Sequence, residues 1–274
     1  MWEQTIFSEL TDILKNSPIL YKFVGSPEVA KKILSNSQLQ FSNPKNFNDP
    51  FDCYPNLMTF DKISRSNLEE LKLKYSNQFP EAIEKINVAL TNSNTDSISN
   101  AYKQVALQKT ISTIGITCFS REFSHNLMWS HYGKSHSGIC LGFDIAKMYQ
   151  SLENINEGNK ALLKIDYESV FESKDFFKDG MESIIYWLKT KSIHWKYENE
   201  VRLIFTRLDL DEDGKRLIKI GQESFKEIIF GYNFSLKDNL NLINYIKGNY
   251  PNVDIYKMLP IKNSFELTKK LIKH

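Results

Sequence analysis

The chain carries few of the marks by which enzymes are usually sorted. Its 274 residues include three cysteines, Cys53, Cys118 and Cys140, with no C-x-x-C spacing and no even count. That argues against a disulfide scaffold or a zinc knuckle and fits a reducing cytoplasm. There is no GxxxxGK[ST] loop, no GxGxxG, no HExxH and no GxSxG, so the common nucleotide-triphosphate, zincin and serine-hydrolase chemistries lose their usual signatures. No apolar run approaches the roughly 20 residues that cross a bilayer. The start, Met1 to Thr5, has no basic stretch followed by an apolar one, so neither export nor membrane anchoring is expected. Charge of one sign is missing as well. The 35 basic and 33 acidic residues leave a net +2, which gives no footprint of a dedicated nucleic-acid binder, though a local basic groove is compatible with it. No repeat of about 20–50 residues is visible, which excludes a solenoid or propeller.

With 41% hydrophobic residues, the chain can bury one large core, or one core with a helical insertion, and is not disordered. Trp2, Ile6, Leu10, Ile13 and Leu14 fall at helical spacing and predict an amphipathic N-terminal helix. Residues Ile19–Val24 read as a strand, Ser26-Pro27 as a helix N-cap with proline at the first position, and Gln38–Ser42 as a second strand. From 61 to 112 the composition shifts to Lys, Glu, Asn and scattered Leu, which predicts a helical insertion within a single α+β domain spanning 1–274. Strands are expected at Thr113–Phe119, Gly138–Asp144, Leu162–Tyr167 and Val201–Thr206, with a helix over Lys174–Ser192. A hairpin turn is expected at Asp213-Gly214, then a strand Phe225–Gly231, a helix Leu236–Lys247, a strand Val253–Met258 and an amphipathic tail from Phe265. The order is mixed α+β rather than regularly alternating βα units.

Three polar, aromatic-rich segments stand out. They are Phe41-Ser-Asn-Pro-Lys-Asn-Phe-Asn-Asp-Pro-Phe-Asp-Cys53, Met128-Trp-Ser-His-Tyr-Gly133 and Trp195-Lys-Tyr-Glu-Asn-Glu-Val-Arg202. In the first, two prolines stiffen a loop in which Asn48, Asp49 and Asp52 can accept backbone hydrogen bonds, and their roles stay open between a self-capped loop and a ligand contact. In the third, Glu198, Glu200 and Arg202 occupy alternate positions and so share one face of a strand, with the glutamates about 6.5–7 Å apart along it. Arg202 can pair with one glutamate and hold the other. The plain alternative is a salt-bridged, solvated strand start. His125, His131 and His136 are spaced by six and five residues, which suits no metal-ligand pattern, so no metal is expected.

Together with Leu20-Tyr-Lys-Phe23, Cys118-Phe-Ser120 and Gly138-Ile-Cys-Leu-Gly-Phe-Asp144, these segments resemble the bacterial family of domains of unknown function numbered 2971, over about Ile19 to Met258. More distantly, the opening strand, helix and strand and the late Glu198-Asn-Glu200 resemble the ADP-ribosyltransferase superfamily. That resemblance implies a split β-sandwich-like sheet core with an NAD-binding cleft, NAD as co-substrate, Glu200 as the catalytic residue, and Tyr21, Lys22, Tyr132, Glu198 and Arg202 as cofactor-binding residues. It also implies loss of nicotinamide through a positively charged ribose, countered by Glu200. The chain departs from the superfamily in having Tyr21 and Lys22 where a His or Arg is usual, and in offering Ser120, Ser130 and Tyr132 alike for the middle motif. The reading that follows is a cytoplasmic NAD-using enzyme, a toxin or phage-defence effector, acting on a nucleic-acid or protein target. The alternatives are a metal-dependent nuclease or hydrolase built on Asp49, Asp52, Lys196, Glu198 and Glu200, and a non-catalytic ligand- or partner-binding module.

Overall fold

A computed structural model describes residues 2–75, 80–92, 99, 111–153, 155 and 158–272. The chain begins with helix α1 (Trp2–Asn16), β1 (Ile19–Val24), α2 (Pro27–Asn36), β2 (Gln38–Ser42) and, after a loop with two single turns of 3-10 helix, β3 (Met58–Thr59). Helices α3 (Arg65–Tyr75) and α4 (Pro80–Asn92) follow, then β4 (Gly115–Ser120), α5 (Asn126–His131), β5 (Ile139–Asp144) and α6 (Ile145–Ser151). Next come β6 (Lys160–Lys164), β7 (Asp166–Glu168), β8 (Lys174–Asp175), α7 (Phe176–Asp179), α8 (Met181–Lys189), β9 (Thr190–Ser192) and a 3-10 segment, Ile193–Glu198. The chain ends with β10 (Glu200–Phe205), β11 (Lys215–Lys219), β12 (Phe225–Phe230), α9 (Leu240–Asn249), β13 (Asp254–Pro260) and β14 (Leu267–Leu271).

Local chemistry explains the elements that alternation and caps predicted. Ser26 accepts from the Val29 N–H with Pro27 at the first helical position, and Ala30 and Leu34 of α2 are buried. Ile13 of α1 is buried while Leu10 and Leu14 pack on the core; the Trp2 side chain expected on that face lies outside the described side chains. The expected insertion contains α3 and α4; Leu68 of α3, Ile86 of α4 and Ile63 just before α3 form a small separate cluster, and residues 76–79, 93–98 and 100–110 of that span lie outside the described residues.

Ten strands form one sheet that divides into two antiparallel halves. One half runs β1-β5-β12-β13-β14, with a single parallel pair at β12 and β13. The other runs β11-β2-β4-β10-β6. They meet at β4, where β1 touches through one register pair, Tyr21 opposite Ser120, and β2 through another, Ser42 opposite Ile116. Beyond Tyr21, β1 leaves β4 and pairs with β5 throughout. Lys22 Nζ fills part of the gap by donating to Thr117 Oγ1 at 3.0 Å and to the Cys118 carbonyl at 3.1 Å, a substitute for the ladder bonds lost there.

Three expectations need correction. The helix over Lys174–Ser192 is shorter: Gly180, at φ 57°, separates α7 from α8, and Thr190–Ser192 forms β9 against β7. The strand over Leu162–Tyr167 divides at Ile165, with β6 in the large sheet and β7 in a two-stranded one. A tight turn does form at Asp211–Lys215, but it sends β11 to β2 rather than back along β10. The tail expected from Phe265 takes the form of the strand β14, antiparallel to β13.

Candidate functional site

A recess of about 200 Å³ opens where β1 and β4 part, among Tyr21, Lys22, Ser120, Tyr132, Lys191 and Glu200. Glu198, Asp52 and the ring of Phe47 also line it. The fold therefore brings Tyr21, Lys22, Tyr132, Glu198 and Glu200 to one place. Arg202, expected on the wall, lies beneath it at 0% exposure. It can position a carboxylate but cannot touch a ligand. Ser120 lines the recess and accepts from the Glu122 N–H, whereas Ser130 is exposed and directed to His136.

The geometry of the Glu-Asn-Glu unit differs from that of a plain strand. Glu198 closes the 3-10 segment, Asn199 adopts the left-handed conformation at φ 44°, and β10 begins only at Glu200. Asparagine is among the few residues that accept this conformation readily. The glutamates are thus not successive residues on one strand face; the turn at Asn199 brings both to the Lys191 ammonium. They are not solvated either, at 5% and 4% exposure.

Lys191 and Arg202 hold three carboxylates. Lys191 Nζ lies 2.6 Å from Glu198 Oε2, 3.0 Å from Glu200 Oε2 and 3.2 Å from Asp52 Oδ2. Arg202 donates from Nε to Glu200 Oε1 at 2.8 Å and from Nη2 to both oxygens of Asp52 at 2.7 Å. Its Nη1 donates to the Leu188 carbonyl at 2.9 Å, and its guanidinium lies over the Phe47 ring. Asp52, one of the three loop residues with open roles, thereby becomes an anchor of this network. Asp49 instead fixes its own loop by accepting from the Phe51 N–H at 2.9 Å. Asn48 lines the recess.

The two glutamates are electrostatically distinct. Burial would raise the pKa of Glu200, but Arg202 and Lys191 overcome it and hold the carboxyl well below the usual carboxylate range. Burial also raises Glu198, and there the opposing pull of Lys191 is not enough to reverse it. Tyr132 Oη donates to Glu198 Oε1 at 2.6 Å, and burial followed by that bond pushes the phenol upward. Burial lowers the pKa of Lys22. Lys191 was overlooked as a site residue because a lysine in sequence reads as a solvated charge. The nearest sequence signal was its place seven residues before Glu198 at the end of an apolar helix.

Met128–Gly133 sets Tyr132 in place through tight packing. Trp129 is fully buried, and Tyr132 and Gly133 both donate their N–H groups to the Met128 carbonyl. A Cβ on Gly133 would lie 2.7 Å from Trp129 Cε3 and 2.7 Å from the Trp129 carbonyl oxygen. Gly133→Ala is therefore expected to cost about 1–3 kcal/mol by overpacking, measured by denaturant unfolding; unchanged stability would show that the contact relaxes freely. Lys134, Ser135 and His136 then take three successive positive φ angles, 47°, 51° and 66°, a strained run beside the site. The histidines make aromatic and capping contacts: His125 caps α5 and stacks on Tyr197, His131 meets the same Tyr197 at its Oη at 3.0 Å, and His136 stacks on Trp129. Among the described residues there is no group of three or more His, Cys, Asp or Glu arranged to hold a metal ion.

The sequence model of the family described as "Protein of unknown function (DUF2971)" matches residues 128–203. That supports the resemblance to this family over a shorter span than Ile19 to Met258. The matched stretch contains Met128, Tyr132, Lys191, Glu198 and Glu200, all lining the recess, together with Arg202 beneath it. No curated protein and no solved structure matches the chain. No helix among the described residues is long and apolar enough to cross a membrane.

Proposed function

We propose that the protein is an ADP-ribosyltransferase-like enzyme with NAD as co-substrate, the nicotinamide riboside end seated between β1 and β4. One observation carries this reading: the convergence of Tyr21, Lys22, Tyr132, Glu198 and Glu200 on a recess at the parting of two half-sheets. The same parting supports a likeness to the superfamily's split β-sandwich. At about 200 Å³, the recess is smaller than the ~300–1,000 Å³ that encloses a drug-sized ligand. It suits one end of a dinucleotide, with the rest outside.

NAD supplies a ribose whose bond to nicotinamide breaks with the electron pair leaving on the nicotinamide, so that positive charge develops on the ribose carbon. Glu200, held ionised by Arg202 and Lys191, offers a fixed anion in a site shielded from water, where such a charge is stabilised without reorganisation. Glu198, with its raised pKa and its bond to Tyr132, is suited to take the proton that an attacking hydroxyl or ring nitrogen releases. On this reading the acceptor belongs to a nucleic acid or a protein, the targets of bacterial toxins and phage-defence effectors in the superfamily. The metal-dependent alternative gains nothing from the geometry, because Lys191 and Arg202 occupy the space between Asp52, Glu198 and Glu200 where a cation would sit.

Calorimetric titration with NAD, and separately with nicotinamide, tests the reading. Saturable binding of both is expected, weakened by Tyr132→Ala, which removes one wall of the recess. Absence of binding by either ligand would remove its basis.

A further inference from the structure

A second recess, of about 340 Å³, lies on the other side of Lys191, which lines both. Its walls carry the rings of Phe51, Tyr54, Phe171 and Trp195, and Phe51 and Phe171 are 59% and 39% exposed. The rings are tilted against one another rather than closed into a core: Phe51 and Tyr54 meet at 5.4 Å and 58°, Tyr54 and Phe171 at 6.1 Å and 73°. Large rings left open around one concave site mark a binding surface more often than a packing fault.

The polar lining comprises two carboxylates, Asp49 and Glu168, with His194, the hydroxyls of Ser169, Thr190 and Ser192, and the Lys191 ammonium, which is already held by Asp52, Glu198 and Glu200. Asp49 uses Oδ1 for the Phe51 N–H and Glu168 uses Oε2 for the Tyr186 hydroxyl. Asp49 Oδ2 and Glu168 Oε1 accept no hydrogen bond among the described residues. The Thr190 hydroxyl is buried there without a well-formed hydrogen bond. Two carboxylates disfavour a phosphate inside the recess but suit a planar ligand whose edge donates.

We propose that this recess binds a nucleobase carrying an exocyclic amino group: adenine, cytosine or guanine. Its π face lies against the exposed rings, which accept any base by stacking, and its amino edge donates to Asp49 or Glu168, as carboxylates accept from such groups elsewhere. The volume is at the lower end of the ~300–1,000 Å³ of small-ligand sites, enough for one base with its sugar-phosphate outside. The base comes from a free nucleotide, the adenine end of a dinucleotide included, or from a single strand. This inference stands on the recess and its lining, and not on NAD use. Failure of nicotinamide to bind beside Tyr132 would leave it intact.

Fluorescence anisotropy with labelled oligo(dA) and oligo(dT), and calorimetry with AMP, provide the test. Oligo(dA) is expected to bind saturably and oligo(dT) more weakly, with Phe51→Ala and Phe171→Ala each weakening oligo(dA) about tenfold at an unchanged melting temperature. Both replaced rings are surface-exposed, and Trp195 is left in place because it covers Lys191. Glu168→Gln provides a second, isosteric variant and is expected to reduce the preference for dA over dT. Saturable AMP binding of similar strength identifies a free nucleotide as sufficient; binding of oligo(dA) alone identifies a strand. The proposal is overturned if neither ligand binds saturably, if oligo(dT) binds as well as oligo(dA), or if the alanine variants bind unchanged.

Discussion

Replacing Arg202 with methionine is expected to destabilise the fold by about 3–5 kcal/mol, read as a lower urea midpoint at an unchanged slope. Three parts of the chain converge on this guanidinium: Asp52 in the loop before β3, the Leu188 carbonyl near the end of α8, and Glu200 at the start of β10. Methionine fills much of the volume, but it leaves three buried carboxylates facing Lys191 alone. The loss arises from that uncompensated charge rather than from a cavity. Arg202→Lys is expected to recover only part of the stability, because an ammonium cannot reach Asp52, Glu200 and Leu188 from one plane as the fork does. A loss below about 1 kcal/mol for Arg202→Met would place the network outside the cooperative core, since that is the scale of an exposed pair.

On the proposed reading, Glu200→Gln reduces any turnover of NAD by about 10²–10³-fold, the scale for removing one preorganised electrostatic contact to a developing charge. The substitution keeps the side chain's shape and leaves Arg202 paired with Asp52, so folding is expected to survive. Its stability difference from wild type should depend on pH in a defined direction. Glu200 has its folded pKa depressed, so its contribution is fully present above the unfolded value of about 4.3 and is lost as pH falls towards the folded value. The advantage of wild type over Glu200→Gln should therefore shrink below about pH 4. Glu198 has the opposite sign. With its folded pKa raised, its contribution is present below the unfolded value and is lost as pH rises through the folded one, so it opposes folding at neutral pH. A residue kept under that penalty is a candidate for chemistry. A stability gap between wild type and Glu200→Gln that widens on acidification would contradict the assignment of Glu200 as the ionised member of the pair.

Much of the frame was legible because its signals are local. Alternation over Ile19–Val24 and Gln38–Ser42 gives β1 and β2 with their observed bounds, and the Ser26-Pro27 cap between them gives the start of α2. The aromatic segments at Met128–Gly133 and Tyr197–Arg202 pointed to the region that the family match covers. What escaped was set by long-range pairing or by single backbone positions. Asp52 meets Arg202 across 150 residues, and no local pattern encodes such a contact. Asn199 in a left-handed conformation moves Glu198 off the strand, which alternation alone cannot foresee. The destination of β11 beside β2, and of β14 beside β13, depends on which sheet edge is free. Lys191 becomes a site residue because β9 pairs with β7, opposite Tyr167, whose hydroxyl accepts from the Glu200 N–H at 2.8 Å.

The most direct test of NAD use by this site is release of nicotinamide from labelled NAD by purified wild-type protein and folded Glu200→Gln, each with and without nucleic acid and cell extract. Wild type is expected to release nicotinamide under at least one of these conditions and Glu200→Gln to lose nearly all of it. No release by wild type under any condition, or equal release by the two proteins, would contradict the account.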